Sequence, residues 1–288
     1  MPSWSRKGLW PRRGEATSKA GASSLPGELP VPPFEMRQLV GPTDPAMFDN
    51  PSGAPVFSGM PDGAYDNVFD FGSGCGRLAR QMMQQSAVPA KYRGIDLHEG
   101  MVRWCQENLT PANPDFTFAH HNVFNPGFNP DPSLPRFAPF PIEDGAATLM
   151  IAWSVFTHTT QRQTEHYLKE AARVLNDCGI LISTWFLFEK RNFPMMQDFQ
   201  NALYINEFDP TNATIFDRTW LIDLLSNSGL QVTLARPPGI RGFQWELHIR
   251  KKGHGAPVEI GEDLAPYGKK PPPVVAQDPS KIGIPDRE

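Results

Sequence analysis

The sequence predicts a doubly wound α/β fold built on a mostly parallel sheet. Three observations carry this. Apolar runs of strand length alternate with stretches of helical periodicity between residues 67 and 250, a glycine-rich turn follows the first of those runs, and proline is concentrated outside the regular alternation. Of the 31 prolines, 26 lie in residues 1–66, 111–142 and 251–288, which leaves 67–110 and 143–250 as the folded core. Strands that alternate with helices need crossover connections, and crossovers cover a parallel sheet on both faces.

In chain order, strand 68–71 leads to helix 77–85, strand 92–96, helix 99–108 and strand 116–119. In the helix over 99–108, Met101, Val102 and Cys105 fall on one face. After a proline-rich loop come strand 147–153, helix 161–175, strand 180–187, helix 217–228 and strands 231–235 and 243–250. Thr160 and Gln163 stand at capping-box spacing before the helix over 161–175, Tyr167, Leu168, Ala171, Val174 and Leu175 share one of its faces, and Gly179 lies just beyond its end.

Composition narrows the partners. At 288 residues and a formal charge of -4, the chain has no basic field for a phosphate backbone, so nucleic acid is not an expected partner. Its longest apolar stretches, 147–156 and 180–188, fall short of the roughly 18 residues a membrane span requires. Cys75, Cys105 and Cys178 are odd in number, without metal-ligand spacing and without a secretory leader before them, which fits a reduced cytoplasm and no metal. Residues 1–31 read as a disordered basic arm, 32–66 as a cap segment, 67–250 as the core domain and 251–288 as a proline-rich tail. The composition does not specify an oligomeric state.

Chemistry enters at Asp70-Phe71-Gly72-Ser73-Gly74-Cys75-Gly76-Arg77, between the first strand and the first helix, where such sheets bind ligands. A dinucleotide fingerprint, GxGxxG, needs glycine at position 77; Arg77 stands there, which favours a nucleoside without a pyrophosphate. Asp96 ends the second strand, where a carboxylate can accept from both hydroxyls of a ribose.

These residues resemble the class I S-adenosylmethionine-dependent methyltransferases, with a likeness running over about 66–250. It rests on Asp70 to Gly76, on Gly94-Ile95-Asp96-Leu97, on Ala152-Trp153-Ser154-Val155-Phe156-Thr157-His158, and on Tyr167-Leu168 with Ala172-Arg173-Val174-Leu175. The resemblance implies a seven-stranded Rossmann-like sheet whose last strand is antiparallel, with S-adenosyl-L-methionine as cofactor. It places the cofactor on Asp70, Gly72, Ser73, Gly74, Gly76, Asp96, Leu97 and Ser154. Asn122 stands where the family often has an acid for the adenine amino group, and an amide oxygen can still accept that bond, so Asn122 and Val123 take the adenine role. Met101 is either a face against the purine or a core methionine. A finer likeness, through Asn125-Pro126, Asn129-Pro130 and Trp185-Phe186-Leu187, is to bacterial members acting on glycans, glycolipids or secondary metabolites, and implies a small-molecule, glycan or glycolipid acceptor.

His158, just past the fourth strand, is the candidate general base for O-methylation; orienting the next helix is the other role open to it. His120 and His121 lie near the adenine end and read as structural, and His248 falls within a late strand. Acceptor selection falls to 189–216, apolar for a connection and readable as a helical lid or a packed helix, and to 32–57. Two other readings share the sheet: an NAD(P)-dependent oxidoreductase, opposed by Arg77 and by the lack of a Tyr-x-x-x-Lys pair, and a cofactor-binding module without catalysis.

Overall fold

The computed structural model describes residues 29–206, 208–238 and 243–261. Most of the expected basic arm and of the proline-rich tail lies outside the described residues.

After a short helix α1 (Phe34–Leu39), the core runs β1 (Asn67–Phe71), α2 (Arg77–Met83), β2 (Lys91–Asp96), α3 (Glu99–Asn108) and β3 (Phe116–His120). Then come β4 (Ala147–Ala152), α4 (Gln161–Val174), β5 (Leu175–Phe188), β6 (Ala202–Tyr204), β7 (Thr214–Asp217), α5 (Arg218–Asn227), β8 (Leu230–Arg236) and β9 (Trp245–Lys251). The main sheet has the order β3-β2-β1-β4-β5-β9-β8, with β1 to β5 parallel and β9 antiparallel to both neighbours. This is the expected seven-stranded doubly wound sheet.

Side-chain alternation along each strand assigns the two faces. Phe69, Phe71, Leu181, Trp185, Leu247 and Ile249 pack with α4 and α5, while Val68, Tyr92, Leu149, Ile151, Ile180 and Ile182 pack with α2, α3 and the segment around Phe57 and Tyr65. Helix α4 starts as its capping box predicts, with Thr160 and Gln163 satisfying one another's backbone amides. Its end differs from expectation. The chain passes straight into β5 at Leu175, and Gly179 lies inside that strand.

Two further differences concern function. Among the described residues of 189–216 there is no α-helix: beyond a short 3-10 turn they make the antiparallel hairpin β6–β7, and β7 pairs in parallel with Phe186–Phe188 at the far end of β5. The strand propensity of Thr214-Ile215-Phe216 and the unpaired extension of β5 outweigh the scattered apolar residues that suggested a helix. The core also extends past residue 250. Val258 donates its amide to Val232 O at 2.9 Å, and Ile260 is buried in the core.

Candidate cofactor and active site

Strand order reverses between β1 and β4, and a doubly wound sheet binds ligands in the crevice beyond the carboxyl ends of its strands at such a point. The glycine turn after β1 lies there. Gly72 has φ +83°, and a Cβ on it would stand 2.3 Å from Val155 Cγ2 in the turn after β4; only glycine fits. The turn's amides face inward. Gly72 and Ser73 both donate to Ile95 O, at 2.8 and 3.0 Å, and Gly74 donates to Asp96 Oδ2 at 2.8 Å. Their N–H groups are therefore spent on β2 and not arrayed for a pyrophosphate, which needs such donors free.

Asp96 sits half-buried at the end of β2, its second oxygen accepting from His98 N at 2.8 Å. Burial pushes its carboxyl up, against the two backbone amides. Asp70 is fully enclosed. Burial pushes its carboxyl up to about 7, opposed by the hydroxyl that Tyr92 donates to Oδ2 and reinforced by the charge of Asp96. Asp70 Oδ1 and Ser73 Oγ are buried with no partner. These orphaned polar atoms, one before the glycine turn and one within it, lie near a carboxylate with lone pairs to spare, a set able to bond a polar ligand.

Toward β3, His120 Nε2 meets Leu97 O at 3.0 Å. Val123 is buried, and Asn122 is exposed with Oδ1 accepting from Asn129 Nδ2 at 2.9 Å. Met101 is buried with Phe48 and Cys75, beneath Met36, Leu39 and Val40. His121 points away, into the α4 face, where Nε2 meets Tyr167 Oη at 2.8 Å and burial holds its pKa down to about 4.

The segment 29–53 packs over this half of the crevice. Val40 stands against the turn, so that a Cβ on Gly74 would lie 2.8 Å from its Cγ1. Arg80 holds the segment in place. Buried on α2, it donates to Leu29 O, Pro30 O and Phe48 O at 2.9, 3.1 and 2.8 Å and pairs with Asp49. Beneath this roof Cys75 is buried and its thiol is pushed up to about 12. Arg80 and Tyr92 escaped the sequence reading. An arginine on an apolar helix face gives no signal by spacing, because its partners lie about 30 to 50 residues away in irregular chain.

On the β4 side Ser154 takes φ +59°, a conformation a side chain rarely adopts. Two bonds hold it: its amide donates to Thr184 Oγ1 at 2.7 Å and its hydroxyl to Gln244 Oε1 at 3.0 Å. His158 is exposed in the short turn that follows, with Nδ1 3.1 Å from Thr211 O in the loop between β6 and β7. The same Thr211 accepts from buried Asn125 Nδ2 at 3.1 Å and donates to Asp209 at 2.6 Å, joining the loop after β3 to the hairpin. Among the predicted residues, Asp70 to Gly76, Asp96, Leu97, Ser154 and His158 thus share one edge of the sheet. A cleft of about 450 Å³ lined by Met60, Ile180, Thr233, His248 and Arg250 lies toward the amino end of β5, away from that edge. The described residues hold no group of side chains able to bind a metal, and none of their helices is long and apolar enough to cross a membrane.

Residues 68–179 match the family model described as a methyltransferase domain. Among solved structures, the chain is similar to the PH0226 protein of Pyrococcus horikoshii OT3, at 15% identity over 65% of this chain and 82% of that one, with a TM-score of 0.43. It is also similar to NcsB1, an O-methyltransferase from neocarzinostatin biosynthesis, at 13% identity over 67% of this chain and 52% of that one, with a TM-score of 0.45. A third likeness is to the mitomycin 7-O-methyltransferase MmcR, at 15% identity, 72% and 52% coverage and a TM-score of 0.45. The chain spans about half the length of the last two.

Proposed function

Residues 68–179 being a class I S-adenosylmethionine-dependent methyltransferase domain, we propose that the chain transfers the methyl group to a hydroxyl of a small-molecule or glycan-like acceptor, with His158 as the base. The observation that carries this is the bond from His158 Nδ1 to a backbone carbonyl. A carbonyl can only accept, so Nδ1 carries the ring proton and the lone pair is left on Nε2 of an exposed imidazole at the sheet's carboxyl edge.

When bound, S-adenosylmethionine supplies a methyl group already activated by its sulfonium, which leaves alignment and proton removal to the protein. In this reading Asp96 accepts from the ribose hydroxyls. Asp70, Ser73 and the turn Gly72, Gly74, Gly76 receive the amino-acid end, with Leu97, Asn122, Val123 and Met101 around the adenine. The orphaned Asp70 and Ser73 oxygens support the fit. Ser154, pinned between Thr184 and Gln244, sets the path of the chain into His158. A cytoplasmic setting belongs to the same reading, on the free thiols of Cys75, Cys105 and Cys178.

Calorimetric titration with S-adenosylmethionine, its demethylated product and NAD tests the cofactor; binding of NAD in preference to the other two overturns the assignment. For the base, His158→Ala is expected to lower turnover by roughly a hundredfold or more with cofactor affinity nearly constant. His158→Gln keeps hydrogen bonding without basicity, so restored turnover in that variant reduces His158 to a positioning role.

A further inference from the structure

The carboxyl edge has a property that methyl transfer alone does not require. Among the described residues, a large share of the exposed large apolar side chains lies in segment 189–216, whose loop bonds His158. On the hairpin segment Met195 is 89% exposed, Phe208 87%, Phe199 74% and Ile205 66%. Phe243, beside Gln244, is exposed as well, and Phe128, in the loop after β3, is partly exposed with its ring beside that of His98. These residues come from three separate connections, and each connection is bonded into the site. Thr211 of the hairpin loop holds His158, Asn125 in the loop of Phe128 holds Thr211, and Gln244 next to Phe243 holds Ser154. A scattered exposed phenylalanine needs no explanation, but exposed apolar side chains carried on connections that are all bonded to one polar centre fit a binding surface.

We propose that this rim takes the apolar portion of an amphiphilic acceptor, a hydroxylated molecule carrying an alkyl or similar hydrocarbon chain. This deepens the reading above and rests on it. The rim chemistry is selective. A glycan recognised through its hydroxyls would call for amide, carboxylate and hydroxyl groups in the positions that Met195, Phe199, Ile205 and Phe208 occupy. A hydrocarbon chain is matched by those side chains, and laying it along the hairpin segment toward its loop brings the polar end to His158, which that loop holds through Thr211. The hairpin segment 189–216 has more acidic than basic residues, so it carries no positive field to draw it to an anionic lipid surface.

The test uses the full chain with dansyl-undecanoic acid as a fluorescent probe, decyl maltoside below its micelle concentration, and maltose. The probe should bind, decyl maltoside should displace it, and maltose should not. Phe199→Ser combined with Phe208→Ser should weaken probe binding by roughly tenfold or more, while affinity for S-adenosylmethionine stays within about twofold, which also shows that the variant folds. Equal probe affinity in the two proteins overturns the proposal. So does a wild-type dimer that the double variant converts to monomer, since the rim then belongs to a second copy. Sedimentation with zwitterionic vesicles in the absence of binding to the monomeric amphiphile overturns it in favour of a membrane surface. Failure of the methyltransferase reading itself appears in the cofactor titration, which contains no acceptor.

Discussion

Over β1 and β2 the carboxyl edge is roofed by the chain itself: Val40 lies on the glycine turn, Phe48 and Met101 enclose Cys75, and Arg80 pins the covering segment by its backbone. Over β4, β5 and β7 the same edge ends in an imidazole and a hairpin whose large side chains stand in water. One half is closed by packing within the chain and the other is not. On the reading proposed above, a single sheet edge would hold a fixed ligand and a variable one by spending its packing on the first.

The largest effect that should separate the halves comes from Arg80→Met. It leaves three carbonyls without their donor and Asp49 with Gln84 alone, so urea unfolding should show a loss of about 3 kcal/mol, and cofactor affinity should fall as the roof loosens. An unchanged midpoint would mean that the roof is held by its apolar contacts alone.

Two buried groups on the β1–β3 side of the sheet titrate in opposite senses. His121, held near pKa 4 against 6.5 in the unfolded chain, contributes stability that is present above about pH 6.5 and lost as pH falls toward 4, because the unfolded chain takes the proton first. Asp70, raised to about 7, works the other way, losing stability as pH rises from about 4 to 7. The wild-type profile mixes both, so the comparison is with His121→Gln. Relative to that variant the wild type should lose roughly 2 kcal/mol between about pH 7 and pH 5, read from thermal or urea midpoints. Parallel profiles would show that His121 takes up its proton freely in the fold.

Asp96→Ala should lower cofactor affinity by roughly ten- to a hundredfold, from the loss of charge-assisted bonds worth about 1.5 to 3 kcal/mol, with little change in the hairpin half. The smallest effect belongs to Tyr204→Phe. The Tyr204 hydroxyl accepts from Gln161 N at 3.1 Å in an exposed setting, so its removal should cost at most about 0.5 kcal/mol and leave cofactor affinity unmoved. A larger loss would show that the hairpin is part of the folding core.

What the sequence reveals follows the same division. The roofed half is legible because its geometry admits few residues: Gly72 under Val155 and a carboxylate at the end of β2 each impose a residue type at a fixed position, as the capping box at Thr160 does for the start of α4 in the other half. The hairpin was misjudged as helical because its strands are short and its pairing partner is an extension of β5, a contact made in space that no local periodicity reports. Arg80 and the Thr211 carbonyl behind His158 were hidden for the same reason. In each, one partner of the bond is backbone, which carries no sequence signature.

The enclosure of Cys75 turns the roof into something that can be timed. Its thiol and that of Cys105 are buried and pushed up, far from the thiolate that attacks an alkylating reagent, whereas Cys178 is exposed on β5. Iodoacetamide should therefore modify Cys178 first and alone, and Cys75 only in the moments when the segment over the glycine turn lifts. The slow phase of alkylation becomes a clock for that lifting, one that saturating cofactor should slow and Arg80→Met should speed.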